Sequence, residues 1–192
     1  MAAEGSGRNR PMASVTTPGE SRLSGSISYI LRIGKALLLG LIKTLAQRFE
    51  ACFPHLASLD QLGGDSLPEE QASGEDDEPD AAQVYSLQEH MLRILQELRS
   101  NADITRMAKS ISSENPLRSL AEVSEEMFAT GVNWGRIVVF FYFTYEVFRE
   151  SASSLFRDVM DWAMRFLRDR LALWIEQQGG WNGLLNFFPS SQ

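Results

Sequence analysis

Cys52, His55 and His90 are the obvious candidates for a nucleophile or a metal ligand. Cys52 and His55 lie three apart, but a structural zinc site takes four ligands and this pair supplies two. No phosphate loop, nucleophile elbow or metalloprotease motif accompanies them. His90 falls away from the apolar stripe of its segment and reads as solvated. Asp161 with Arg165, and Asp169 with Arg170, read as ordinary charged helix faces. No metal, cofactor or catalytic site is expected. Arg136 is different, because it precedes seven consecutive apolar residues and falls in the first turn of a helix, where the macrodipole disfavours a cation. Two readings are open for it. One is a solvated surface arginine; the other is an anion-binding arginine at the mouth of an apolar groove, with Gly135 allowing another backbone to approach.

The elements that position these residues are helical. Among 192 residues, the single cysteine cannot form an internal bridge, which fits a reducing compartment. Net charge is −7, with seven basic residues against three acids in residues 1–50 and eleven acids against two arginines in 51–100. A basic face spread across the domain is missing, so nucleic acid is not expected as a partner. Residues 1–22, rich in Gly, Ser, Pro and Thr, read as a disordered arm. Residues 23–188 read as one helical bundle, interrupted by an acidic flexible loop at 54–82, and 189–192 form a short tail. No stretch reaches the roughly 18–20 uncharged apolar residues of a membrane span. Ile30–Phe49 is also amphipathic and basic in the manner of a presequence, though one would begin nearer Met1.

Helical spacing of Ile30, Ile33, Leu37, Leu38, Leu41, Leu45 and Phe49 predicts a first helix from Leu23. A second follows over Val84–Arg99, then a short third capped by Asp103. Asn115-Pro116 opens a fourth that stops at Gly131, and Asn133 caps a fifth reaching Arg149. After the Ser151–Ser154 turn an antiparallel helix is predicted as far as Gly179-Gly180, and Trp181–Phe188 forms a last short one. No strand pattern or repeat appears. The Asn133 helix is apolar on every face over Ile137–Phe143, so other helices or lipid must surround it. Its partner is one-sided: Phe156, Met160, Ala163, Leu167, Leu171 and Trp174 form the apolar stripe. The expected fold is therefore all-α, a single-domain bundle of about eight helices around a central apolar helix hairpin.

Two octapeptides carry a resemblance. Gly131-Val132-Asn133-Trp134-Gly135-Arg136-Ile137-Val138 is similar to the first homology motif of the Bcl-2 family of apoptosis regulators, and Trp174-Ile175-Glu176-Gln177-Gln178-Gly179-Gly180-Trp181 resembles the second. Phe141-Tyr142-Phe143, Phe166–Leu171, Trp181–Leu185 and Gly34–Ile42 look like the Bax-like, pore-forming branch more than the survival members. The resemblance implies a groove involving Asn133, Trp134, Gly135, Arg136 and Val138, in which Arg136 pairs with the aspartate of an amphipathic death-motif helix. It implies a second-motif set of Trp174, Gly179, Gly180 and Trp181. It further implies a membrane-active hairpin carrying Ile137, Phe140, Phe141, Phe143, Phe156 and Leu167. The protein would be cytoplasmic, moving on activation to the mitochondrial outer membrane and permeabilising it, with homo- or hetero-oligomers formed along the way.

Two departures accompany the resemblance. Leu87, Met91, Ile94 and Leu98 supply the four anchors of the third motif on one helix face, and an ordinary core face would show the same spacing. However, Leu95 and Gln96 stand where the motif has a small residue and an aspartate. Leu95 should crowd a groove at a cost of about 1–3 kcal/mol, which makes this helix a weak ligand. In addition, no apolar tail anchor follows the second motif, so a soluble resting state with activated membrane contact is expected. A survival-type groove binder and an inactive scaffold are the competing readings.

Overall fold

The structure, a computed structural model, describes residues 18–48, 80–111, 114–151 and 153–189. The arm up to residue 17, the acidic segment 49–79, Cys52, His55 and the last three residues lie outside that set. Within it the chain forms α1 (Pro18–Arg48), α2 (Ala81–Leu98), α3 (Ala102–Lys109), α4 (Pro116–Phe128) and α5 (Trp134–Glu150). A 3-10 turn at Ser153–Leu155 leads into α6 (Phe156–Phe166). A π turn, Leu167–Leu171, joins α6 to α7 (Ala172–Gln177), and a 3-10 segment, Trp181–Asn186, closes the fold. There is no strand among the described residues, and the all-α expectation holds.

The caps explain the boundaries. Asp80 accepts from the Ala82 amide at 3.0 Å to start α2. Asn115 accepts from Arg118 N at 3.3 Å, with Pro116 in the first turn of α4. Asn133 accepts from Arg136 N at 2.9 Å to start α5. Gly131, at φ 120°, turns the chain between these last two helices. Four local readings are corrected. Helix α1 starts at Pro18, taking residues 18–22 out of the arm, since proline suits a first helical turn. The cap of α3 is Asn101, which accepts from Asp103 N at 2.8 Å, so Asp103 lies inside the helix. The helix after Ser151–Ser154 is interrupted by the π turn, and the closing segment is 3-10 and ends at Asn186.

Helix α5 is the axis. Twelve of its seventeen residues are buried, including Ile137, Val138, Phe140, Phe141 and Phe143, because α1, α2, α3, α4 and α6 all pack against it. An all-round apolar helix has no face for water, so each neighbour removes one from solvent. Phe140 stacks with Phe166 at 5.1 Å and Phe148 meets Phe156 at 4.4 Å, a pairing that runs in opposite directions along α5 and α6 and makes them an antiparallel hairpin. On α6 and its continuation Met160, Ala163, Leu167 and Leu171 are buried, and Phe156 and Trp174 are half-buried; Arg157, Asp161, Arg165 and Arg168 face water.

Helix α1 is a second buried strut. Gly34 sits where a Cβ would strike Leu167, and the Gln88 side chain lies over Gly40, donating to its carbonyl at 3.2 Å and to Thr44 Oγ1 at 2.9 Å. No uncharged stretch reaches that length, yet Gly25–Arg48, which carries Arg32, Lys35, Lys43 and Arg48, is long and apolar enough to cross a membrane by length and composition. Its basic residues are too sparse to offset the leucines and isoleucines. Here Ile33, Leu37, Leu38, Leu41 and Leu45 spend that apolarity inside the bundle.

Candidate ligand-helix groove

The first octapeptide organises itself. Gly131 presents its carbonyl to the guanidinium of Arg136, whose Nη1–H donates to it at 2.6 Å, while the Arg136 amide is held by the Asn133 side chain. That carbonyl offsets the repulsion a cation meets at a helix N-terminus. Arg136 stays partly exposed, and a guanidinium has five donor hydrogens, so one bond to Gly131 leaves others for a carboxylate. The surface over Gly135 is covered. Phe187 lies 3.4 Å from where a Cβ would stand, so a backbone arriving there must displace that ring.

Trp134 links the two octapeptides. Its indole meets Trp174 edge-on at 5.0 Å and Trp181 at 5.8 Å, and Trp181 in turn meets Phe141 at 5.9 Å. Trp181 Nε1–H donates to the Ile30 carbonyl at 2.8 Å, which satisfies a buried donor and ties the second motif to α1. Gly179 and Gly180, at φ 85° and 84°, make the reversal that brings Trp181 inward. Gly183 is closely packed, since a Cβ there would lie 3.0 Å from Trp134 and from the Gln178 carbonyl, tight enough that a neighbour must shift. Val138 is fully buried in the core.

On α2, Leu87, Met91 and Ile94 are buried and Leu98 is half-buried, so the four anchors form a core face. Leu95 is 1% exposed and belongs to the same core. Gln96 faces solvent. The expectation of a solvated His90 is corrected: the ring is buried, its Nε2–H donates to the Phe187 carbonyl at 2.8 Å, and Phe188 packs edge-on at 5.1 Å. Only the return of the C-terminal segment over α2 covers that face, and no spacing in α2 itself signals it.

Helix α3 is lightly packed. None of its eight residues is buried; Ile104, Met107 and Ala108 are half-buried against the core. A helix of this length is marginal alone, and its support is the Asn101 cap and an exposed Asp103–Arg106 pair. Between α4 and the π turn, Arg170 Nη1 lies 2.6 and 2.7 Å from the two carboxylate oxygens of Glu125, a clasp that sequence reading missed. At the far end of α2, the Arg99 guanidinium sits 5.6 Å over the Tyr142 ring. Burial first, and the Glu146 carboxylate second, push the Tyr142 phenol up to about 12. Among the described residues no cluster of three His, Cys, Asp or Glu side chains is placed to hold a metal.

Residues 86–181, half of the chain, match the family described as apoptosis regulator proteins of the Bcl-2 family. The chain is 35% identical to mouse apoptosis regulator BAX over 178 residues, covering 88% of this chain and 84% of that protein. Its fold is shared with chicken BOK, at TM-score 0.58 and 17% identity over 83% of this chain and 97% of that one. It is shared also with Trichoplax adhaerens trBcl-2L2, solved bound to trBak BH3, at TM-score 0.57 and 20% identity over 82% and 97%. The two octapeptides, the bundle they build around α5 and these likenesses agree, and the chain belongs to the Bcl-2 family of apoptosis regulators.

Proposed function

We propose that this chain is a Bax-like promoter of apoptosis. It takes an amphipathic death-motif helix of another family member beside Arg136, frees its α5–α6 hairpin, and permeabilises the mitochondrial outer membrane. The observation that carries this reading is the state of α5. It is apolar on every face and shielded only by its neighbours, in a chain about a third identical to BAX over most of its length. Such a helix is stable in water only while the bundle is closed, and it is at home in lipid once the bundle opens. The bound BH3 helix of the Trichoplax relative supports a groove as the point of entry. The lightly packed α3 is the wall that yields most easily, and displacing Phe187 from Gly135 completes the opening. Homo- or hetero-oligomers then form when α2, with Leu87, Met91, Ile94 and Leu98, docks into a neighbour's groove. The resting protein is cytosolic and moves to mitochondria on activation.

Dye release from cardiolipin-containing liposomes, with and without an activating helix, tests this. Leakage that needs the helix is expected. Binding of the helix without leakage would instead support the survival-type reading, which Leu95 and Gln96 favour because they weaken α2 as a donor. Arg136→Ala is expected to weaken binding of the activating helix by about tenfold or more, the loss of a charge-assisted hydrogen bond, with the fold intact by circular dichroism. Unchanged affinity would remove Arg136 from the site.

A further inference from the structure

Helix α1 is basic and amphipathic, and neither the groove nor the α5–α6 hairpin uses its outer face. From Gly25 to Arg48 it carries Arg32, Lys35, Lys43 and Arg48 and no acid. Its apolar side is committed to the core through Ile33, Leu37, Leu38, Leu41 and Leu45. At 3.6 residues per turn, Arg32, Lys35, Leu39 and Lys43 share about 80° of arc on the opposite side, with Leu31 at its edge. Arg32 and Lys43 are exposed, and Leu31, Lys35 and Leu39 are half-buried. The three cations span roughly 16 Å along the axis. On the α2 flank the uncharged Gln88 amide lies over Gly40 and bonds to Thr44; on the other flank Leu167 meets Gly34. Glu176, an acid beside α1, borders the cleft at Ser26, Tyr29 and Ile33, about a third of a turn round from the stripe. Arg32 and Lys43 also interact within the chain. Such interactions of exposed charges contribute little and exchange readily for new partners.

We propose that this stripe is the face by which the closed bundle docks on an anionic lipid surface. Each cation near a charged membrane raises the affinity by about fivefold. The long arginine and lysine stems lie along the surface with their heads on lipid phosphates, and the open sides of Leu31 and Leu39 reach the acyl boundary between them. An acidic protein would use the charges alone, whereas a bilayer also uses the leucines. The chain's net charge of −7 does not prevent the contact. Acids elsewhere on the molecule are screened beyond about 8 Å at physiological salt. Three cations and two half-buried leucines give a reversible contact, compatible with a cytosolic resting chain. The docking needs neither a ligand helix nor the opening of the bundle, so it stands apart from permeabilisation.

Flotation of the full chain with phosphatidylcholine vesicles, with and without about 30% phosphatidylserine and with no activating helix, tests the proposal. Binding to the anionic vesicles alone is expected, and high salt should weaken it. K35Q/K43Q should lower the affinity by about tenfold or more. R106Q/R118Q, the same charge change placed on α3 and α4, should leave it within about twofold. L39Q should lower it a few-fold, with L31Q as the second variant where L39Q alters the near-UV circular dichroism. Equal binding to neutral vesicles, an undiminished K35Q/K43Q, or an equal loss in R106Q/R118Q overturns the proposal. A loss in K35Q/K43Q with the leucine variants unchanged overturns it too, and assigns the stripe to an acidic protein surface.

Discussion

Tyr142 and His90 show how a single residue's chemistry is decided by what folds over it. Tyr142 lies on the axial helix, but Arg99 covers its ring and Glu146 stands beside it. Its folded pKa, about 12 against an ordinary 10.0, favours the protonated form. That contribution to stability is complete below pH 10, where the phenol is protonated folded or unfolded, and is lost as the pH rises toward 12. Urea midpoints measured across this range should therefore fall, and Tyr142→Phe should flatten the fall; an identical slope would place the titration elsewhere. Tyr145, raised by its own burial, adds in the same direction. His90 was legible only as a polar residue off the apolar stripe of α2. The acceptor that makes it a buried residue comes from ninety-seven positions away, and helical spacing carries no information about a partner at that distance.

At the scale of elements, α2 has two competing uses, and its sequence serves one at the expense of the other. Leu95 contributes to the resting core, where Leu95→Ala is expected to cost about 2–5 kcal/mol in urea denaturation. As a donated helix the same leucine is an obstruction. A peptide spanning Leu87–Asn101 should bind a survival-type groove more tightly, by about tenfold or more, once Leu95→Gly and Gln96→Asp are introduced. Equal affinity of the two peptides would show that the groove tolerates the leucine. The caps of α4 and α5 were readable because each is a local bond between a side chain and an amide three residues on. The π turn after α6 was not. An i to i+5 bond, such as Ala172 N to the Leu167 carbonyl, adds one residue to a turn and barely alters the apolar pattern. Arg170, within that turn, makes the clasp with Glu125, which joins segments distant in the chain.

For the molecule as a whole, Trp181 is the point where the ends meet. Its indole touches Trp134 and Phe141, and its N–H reaches the Ile30 carbonyl. Trp181→Ala is expected to cost about 3–5 kcal/mol and to raise hydrogen exchange along α1 more than along α4; uniform exchange would show that α1 is held by other contacts. The sequence by itself determined the helical class, the central place of α5, its antiparallel partner and the family, since these rest on periodicity, local caps and short motifs. Only the tertiary structure decided that Phe187 covers Gly135, that His90 is buried and that Arg136 is steadied by Gly131. Each of these depends on which distant segment arrives against a residue, and that choice is made by the packing of the whole bundle, not by any window of the chain.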